Sequence, residues 1–179
     1  MRVIGGALKG HALLAPKGQR TRPTQDRVRE ALFSILHDVQ GARVLDLFAG
    51  SGALAIEALS RGAHTATLVD YDRASIAAIR SNLRAVNLEA EVRRQTAGAF
   101  LAWAQREHRQ YDLVFVDPPY RRGSGLRERV SAALPPVLAP QARVIVESDR
   151  RAPLVLEGLR LGDERRYGDT LIRIYHGPR

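Results

Sequence analysis

From residue 43 to residue 147, short apolar runs alternate with longer stretches in which apolar residues recur every three or four positions. The runs Arg43–Leu47, Thr65–Asp70, Glu91–Gln95, Asp112–Asp117 and Arg143–Glu147 predict strands, and residues 53–61, 73–86, 98–106 and 126–134 predict helices. Strands that alternate with helices of 9–14 residues need crossover connections, so the sheet is expected to be mostly parallel and covered on both faces. The end of the chain breaks this rhythm. Leu159–Tyr167 and Thr170–Tyr175 are separated only by Gly168-Asp169, which predicts an antiparallel hairpin at the sheet edge and a total of seven strands.

The start also differs. Arg2–Leu14, with Gly5-Gly6 and Gly10, reads as a small β-hairpin, and Pro16–Pro23 as a basic linker. Thr24 is placed to cap a helix in which Val28, Ala31, Leu32, Ile35 and Leu36 share one face, and which ends before Gly41. The expected organisation is one α/β domain over 24–179 with a basic N-terminal hairpin and linker over 1–23.

Composition narrows the class. With 179 residues, 45% of them hydrophobic and 26% charged, the chain can bury a core without staples. It has no cysteine, which excludes disulfides, thiolate-bound zinc and a cysteine nucleophile. No apolar run approaches the ~18 residues of a membrane span, and the first residues lack the apolar core of a signal peptide. A cytoplasmic protein, with no membrane partner and acting as a monomer, is the expectation. The net charge of +9 is uneven: Arg2, Lys9, Lys17, Arg20 and Arg22 lie in the first 22 residues, which contain no acid. Such a segment on a nearly balanced body suggests a polyanion partner, against the plainer alternative of a solvated basic surface.

Two motifs carry chemistry. In Val44-Leu45-Asp46-Leu47-Phe48-Ala49-Gly50-Ser51-Gly52 an acid ends a strand and two glycines precede a helix. Glycines let the backbone turn tightly and approach a ligand, and the helix start offers free N–H groups. Asp70 ends the next strand, where an acid can accept hydrogen bonds from both hydroxyls of a ribose. Gly50-x-Gly52-x-x-Ala55 also matches a dinucleotide pattern, but Asp46 inside the turn would repel a pyrophosphate. A ligand that brings an ammonium and a ribose, such as S-adenosylmethionine, suits the loop better; a purely structural turn is the remaining alternative. Phe48, Ala49, Ser51 and Tyr71 flank these acids and join the candidate cofactor contacts.

The second motif is Asp117-Pro118-Pro119-Tyr120, at the carboxyl end of the strand Leu113–Val116. Two prolines remove two backbone donors and leave rigid carbonyl acceptors. An exocyclic amine on a base must bend out of plane to become nucleophilic. The Asp117 carboxylate and Pro118 carbonyl could each accept one of its N–H groups, while Tyr120 offers a face for a flipped-out base. A plain Pro-Pro turn with Tyr120 covering the core is the alternative.

With both motifs in place, the chain resembles the 16S rRNA (guanine-N2)-methyltransferase family of the RsmD type, nearly from end to end. The resemblance rests on Arg2-Val3-Ile4-Gly5-Gly6, on Thr21-Arg22-Pro23-Thr24-Gln25-Asp26-Arg27-Val28-Arg29-Glu30, on residues 45–52, on Glu57-Ala58-Leu59-Ser60-Arg61-Gly62-Ala63, on 117–120 and on Tyr167-Gly168-Asp169-Thr170. It implies a Rossmann-like class I methyltransferase fold, S-adenosyl-L-methionine as cofactor, and methylation at N2 of one guanine of 16S rRNA in the small ribosomal subunit. Thr24 joins the candidate cofactor contacts, and Arg121 and Arg122, next to the tetrapeptide, join the N-terminal bases as candidate RNA contacts. One departure stands out: the family usually has an acid where Thr96 stands here, so Thr96 or the Ala97 backbone is expected to meet the adenine instead.

The mechanism expected is direct in-line transfer, with no metal and no covalent enzyme intermediate, accelerated by proximity and orientation. A DNA adenine-N6 or cytosine-N4 methyltransferase shares the tetrapeptide, but the loop from Arg121 to Gly125 is too short for a target-recognition domain. A non-catalytic RNA-binding protein on a nucleotide-binding fold would have no use for the amine-orienting Asp117.

Overall fold

The structure is a computed structural model that describes residues 1–17, 23–118 and 125–178, with backbone alone at 23–25 and 127. In chain order its elements are α1 (Pro23–Leu36), β1 (Arg43–Asp46), α2 (Ala53–Ser60), β2 (Thr65–Asp70), α3 (Arg73–Ala85), β3 (Glu91–Arg94), α4 (Ala97–Arg106), β4 (Tyr111–Val116), α5 (Gly125–Ala133), a short 3-10 turn at Pro135–Val137, β5 (Leu138–Asp149), β6 (Arg160–Tyr167) and β7 (Thr170–His176). The strands form one sheet in the order β3-β2-β1-β4-β5-β7-β6. β1 to β5 pair in parallel, and β7 runs antiparallel between β5 and β6. This is the Rossmann-like methyltransferase architecture with its C-terminal hairpin.

Successive strand residues feed opposite faces, which is why the strands read as unbroken apolar runs. Val44, Leu68, Leu113, Phe115 and Ile145 join α1, α2 and α3 through Leu32, Phe33, Ile56 and Ile79. Leu45, Val69, Val114, Val116 and Val146 join α4 and α5 on the other face through Phe100, Leu101, Val130 and Leu134. From β1 the chain winds outward to β2 and β3, then returns to place β4 on the other side of β1. That reversal opens a crevice at the carboxyl ends of β1 and β4.

Three expectations are corrected. β5 starts at Leu138 and not at Arg143, because its pairing with β4 shifts between Tyr111 and Leu113. Exposed Pro140 and Gln141, the latter at φ 60°, interrupt the apolar pattern there. α1 begins at Pro23, so Thr24 lies inside its first turn; proline suits a first helical position, where its missing N–H goes unused.

The third concerns the N-terminal hairpin, which contracts to a single antiparallel bridge, Arg2 with Ala12. Beyond its own internal turns and pairings, its backbone is held by α2. Ile4 and Gly5 each donate to Glu57 at 2.7 Å, Leu8 donates to Ser60 Oγ at 2.9 Å, and Ala7 donates to the Ser60 carbonyl at 2.8 Å. Gly6 makes this approach possible: it sits at φ +75°, and a Cβ there would lie 1.9 Å from the Ser60 carbonyl oxygen. Val3 and Leu13, 1% and 4% exposed, enter the core. No helix among the described residues is long and apolar enough to cross a membrane.

Candidate active site

The crevice is a cavity of about 350 Å³, within the range of small-molecule sites. The strand ends supply its acids: Asp46 from β1, Asp70 from β2 with Asp72 just beyond, Asp117 after β4, and Glu147 in β5. The loop after β1 supplies Phe48, Ala49, Gly50 and Ser51, and Tyr71 and Pro118 complete the strand-end wall. α1 closes one side with Val28, Arg29 and Leu32, and the N-terminal segment adds Met1, Ala15 and Pro16.

The glycine loop is shaped by pairing to both neighbours of β1. Leu47 donates to the Phe115 carbonyl at 3.1 Å and Ala49 to the Val69 carbonyl at 3.0 Å, after which Gly52 closes a turn onto Ala49 at 2.6 Å. Gly52 stands at φ 79° before α2, and a Cβ on it would meet the Leu68 side chain at 2.9 Å. Asp70 pins the loop from the next strand: one carboxylate oxygen accepts the Gly50 N–H and the other the Asp72 N–H, both at 2.9 Å. Each oxygen keeps a lone pair for a ligand hydroxyl.

Asp46 is 2% exposed, and its Oδ2 has no hydrogen-bond partner among the described residues. Burial pushes its carboxyl up to about 7, with the Asp70 charge adding to the rise and backbone N–H groups of Phe48 and Ala55 opposing it. Burial also raises Asp117 well above the ordinary range, and the like charges of Glu147 and Asp46 raise it further. Glu147 is raised by burial. Against these acids stands Arg29, 5% exposed, which donates to the Arg2 carbonyl and to Asp26 and lies 3.9 Å from Glu57. A buried carboxylate oxygen left without a partner is costly unless a cation or donor arrives, so the cavity fits a ligand that carries an ammonium and N–H groups.

The structure thus brings Asp46, Phe48, Ala49, Gly50, Ser51, Asp70, Tyr71, Asp117 and Pro118 to one cavity. Gly52 shapes the loop from behind and does not line the cavity. Thr96 and Ala97 do not line it either: Thr96 caps α4 by accepting the Ala99 N–H at 3.3 Å, and Ala97 is buried. Beside them, Gln95 holds a buried Oε1 with no partner among the described residues. Arg2, Lys9 and Lys17 are exposed. The Thr24 side chain, Pro119, Tyr120, Arg20, Arg22, Arg121 and Arg122 lie outside the described residues.

Sequence reasoning missed Glu147, Arg29 and the N-terminal wall. Glu147 was detectable, since it ends the run Val144–Val146 as Asp46, Asp70 and Asp117 end theirs. Arg29 lies on a helix whose direction the sequence does not disclose.

The fold and its acid-lined crevice define an S-adenosylmethionine-dependent methyltransferase of the Rossmann-like type. The chain belongs to the family described as "Conserved hypothetical protein 95", which matches residues 1–176. It is 41% identical to the Ribosomal RNA small subunit methyltransferase D of Escherichia coli strain K12, over 98% of this chain and 89% of that protein. It superposes on the solved E. coli protein yhhF with a TM-score of 0.85 at 39% identity, covering 99% of this chain and 98% of that one. The T. thermophilus 16S rRNA N2 G1207 methyltransferase RsmC, solved with AdoMet and guanosine, shares the fold: TM-score 0.71 at 23% identity, over 91% of this chain and 45% of that one.

Proposed function

We propose that the protein methylates N2 of a guanine in 16S rRNA of the small ribosomal subunit, with S-adenosylmethionine as donor. The observation that carries this reading is the meeting of two half-sites in one cavity, the buried Asp46 carboxylate with its open Oδ2 and the Asp117-Pro118 acceptors. The kinship to a small-subunit rRNA methyltransferase over nearly the whole chain supports the choice of substrate.

In this reading Asp46 holds the ammonium of the cofactor, Asp70 accepts from its ribose, and Gly50 lets the backbone come close. The bound cofactor supplies a methyl group on a positively charged sulfur. Asp117 and the Pro118 carbonyl accept the two N–H groups of the base amine, which turns its lone pair out of the ring plane. As the nitrogen gains its new carbon it sheds a proton. A carboxylate whose affinity for protons is raised by burial, as in Asp117, is suited to take it. Arg2, Lys9 and Lys17, with the linker bases beyond, hold the phosphates.

The test is product analysis. The protein is incubated with tritiated S-adenosylmethionine and small subunits, naked 16S rRNA or DNA, and the labelled nucleoside is identified after digestion. N2-methylguanosine from rRNA is expected. Methylated adenine or cytosine from DNA establishes the alternative enzyme, and no label in any substrate the binding protein.

A further inference from the structure

We infer that Glu147 reads the ring N–H of the acceptor base and so selects guanine over adenine and cytosine; the inference rests on the function proposed above. β4 and β5 pair in register, Phe115 with Ile145 and Val116 with Val146, so Asp117 and Glu147 stand side by side one step further on. Phe115 and Ile145 pack into the same core cluster, and residues two further along point to that same face. Both acids line the cavity.

With both acids ionised, this wall offers acceptors. Among the described residues, what acts on the two carboxyls is burial and like charge, with no donor hydrogen bond or cation. Pro118 has no N–H, and the buried Asp46 Oδ2 beyond is a further unpartnered acceptor. Arg29, the nearby cation, gives one terminal nitrogen to Asp26 and the Arg2 carbonyl, and its buried Nε, without a hydrogen-bond partner among the described residues, lies on the α1 side of the cavity. The ligand must therefore bring the donors. Of the bases with an exocyclic amine, guanine presents three N–H groups along one edge, two on N2 and one on N1. Adenine and cytosine place a ring-nitrogen lone pair next to the amine, and it would face the Glu147 carboxylate. With Asp117 and Pro118 taking the amine, Glu147 is left for N1–H. A site built from buried acceptors rejects a ligand that leaves them unpaired.

The experiment uses the full chain loaded with S-adenosylhomocysteine. Binding of guanosine, 1-methylguanosine and adenosine 5′-monophosphates is followed by NMR titration for the wild type and Glu147→Gln, a substitution of the same shape. 1-Methylguanosine keeps the amine and carries a methyl group in place of the N1 hydrogen, while adenosine 5′-monophosphate tests the loss of N1–H without added bulk at that position. The wild type is expected to favour the guanosine nucleotide over both others by about tenfold or more, and the variant to shrink that gap to about threefold or less. A cooperative melt at or above the wild-type temperature and unchanged S-adenosylhomocysteine affinity show that the variant is folded. A wild type that binds the three alike, or binds none, overturns the inference, as does a variant that keeps the full gap. The proposed function itself is judged separately, by the wild-type product on rRNA.

Discussion

Asn82 and Leu14 exchange a reciprocal pair of hydrogen bonds: the Leu14 N–H donates to Oδ1 at 2.8 Å, and Nδ2 donates back to the Leu14 carbonyl at 2.9 Å. Nδ2 also donates to the Ser51 carbonyl at 2.9 Å. One fully buried amide on α3 therefore ties the N-terminal segment to the glycine loop. Asn82→Ala should lower stability by about 1–3 kcal/mol, since it removes a fully buried amide and the partners of three part-buried backbone groups of Leu14 and Ser51. It should also weaken cofactor binding, because Met1, Ala15 and Pro16 form part of the cavity wall. Denaturant unfolding and calorimetry with S-adenosylhomocysteine measure the two effects.

Asp46 should make both stability and cofactor affinity depend on pH. Its carboxyl ionises near 3.8 when unperturbed and at about 7 in the fold, so the folded chain holds the extra proton between those values. Stability of the ligand-free protein should then fall as pH rises through that window. Cofactor affinity should move the other way. An ammonium needs the ionised acid, so affinity should rise by up to about tenfold per pH unit below 7 and level off above it. Asp46→Asn should stabilise the ligand-free protein at about pH 8 by roughly 2 kcal/mol, weaken S-adenosylhomocysteine binding, flatten the affinity profile, and make the stability profile shallower, with Asp117 and Glu147 supplying the rest of its slope. Paired melting and calorimetry across pH check this.

Asp117→Asn should depress single-turnover methylation by about 10²-fold or more, while S-adenosylhomocysteine affinity stays within about threefold. The amide keeps one acceptor but cannot take the proton that the amine releases. Rates near the wild type on saturating small subunits would remove Asp117 from the chemistry.

Arg2, Lys9 and Lys17 are exposed and can be altered without touching the hydrogen bonds that dock the segment to α2. Removing residues 1–15 outright would not be a clean test: it would leave Glu57, 0% exposed, without its two backbone donors. Changing the three bases together to Gln should make the log–log dependence of RNA affinity on salt shallower by about 2–3, at about 0.7–0.9 for each phosphate no longer neutralised. Cofactor affinity should not change. An unaltered slope would point to the linker and to Arg121 and Arg122.

Glu57 shows what the sequence conceals about the N-terminal segment. In the sequence it is an acid in the middle of an apolar helix, which looks like a solvated position. In the fold it accepts from Ile4, Gly5 and Arg61 and is wholly buried. Its backbone donors lie more than fifty residues away, beyond any periodicity. Gly6 was legible as a turn residue, but its role in meeting the Ser60 carbonyl was not.

By itself the sequence determined the alternation of strands and helices, the parallel sheet, the terminal hairpin and the acids at the strand ends. These follow from local rules: apolar period, turn residues, and the position of a charge at the end of a buried run. Asp46, Asp70 and Asp117 were found in this way. Only the tertiary structure decided that Glu147 stands beside Asp117, that Arg29 and Met1 reach the same cavity, and that Thr96 caps a helix outside its wall. Strand order and register set the first, because β5 returns next to β4 only through pairing between distant segments. Burial set the rest: what a charged or polar group does depends on which donors and acceptors the packed core leaves within its reach.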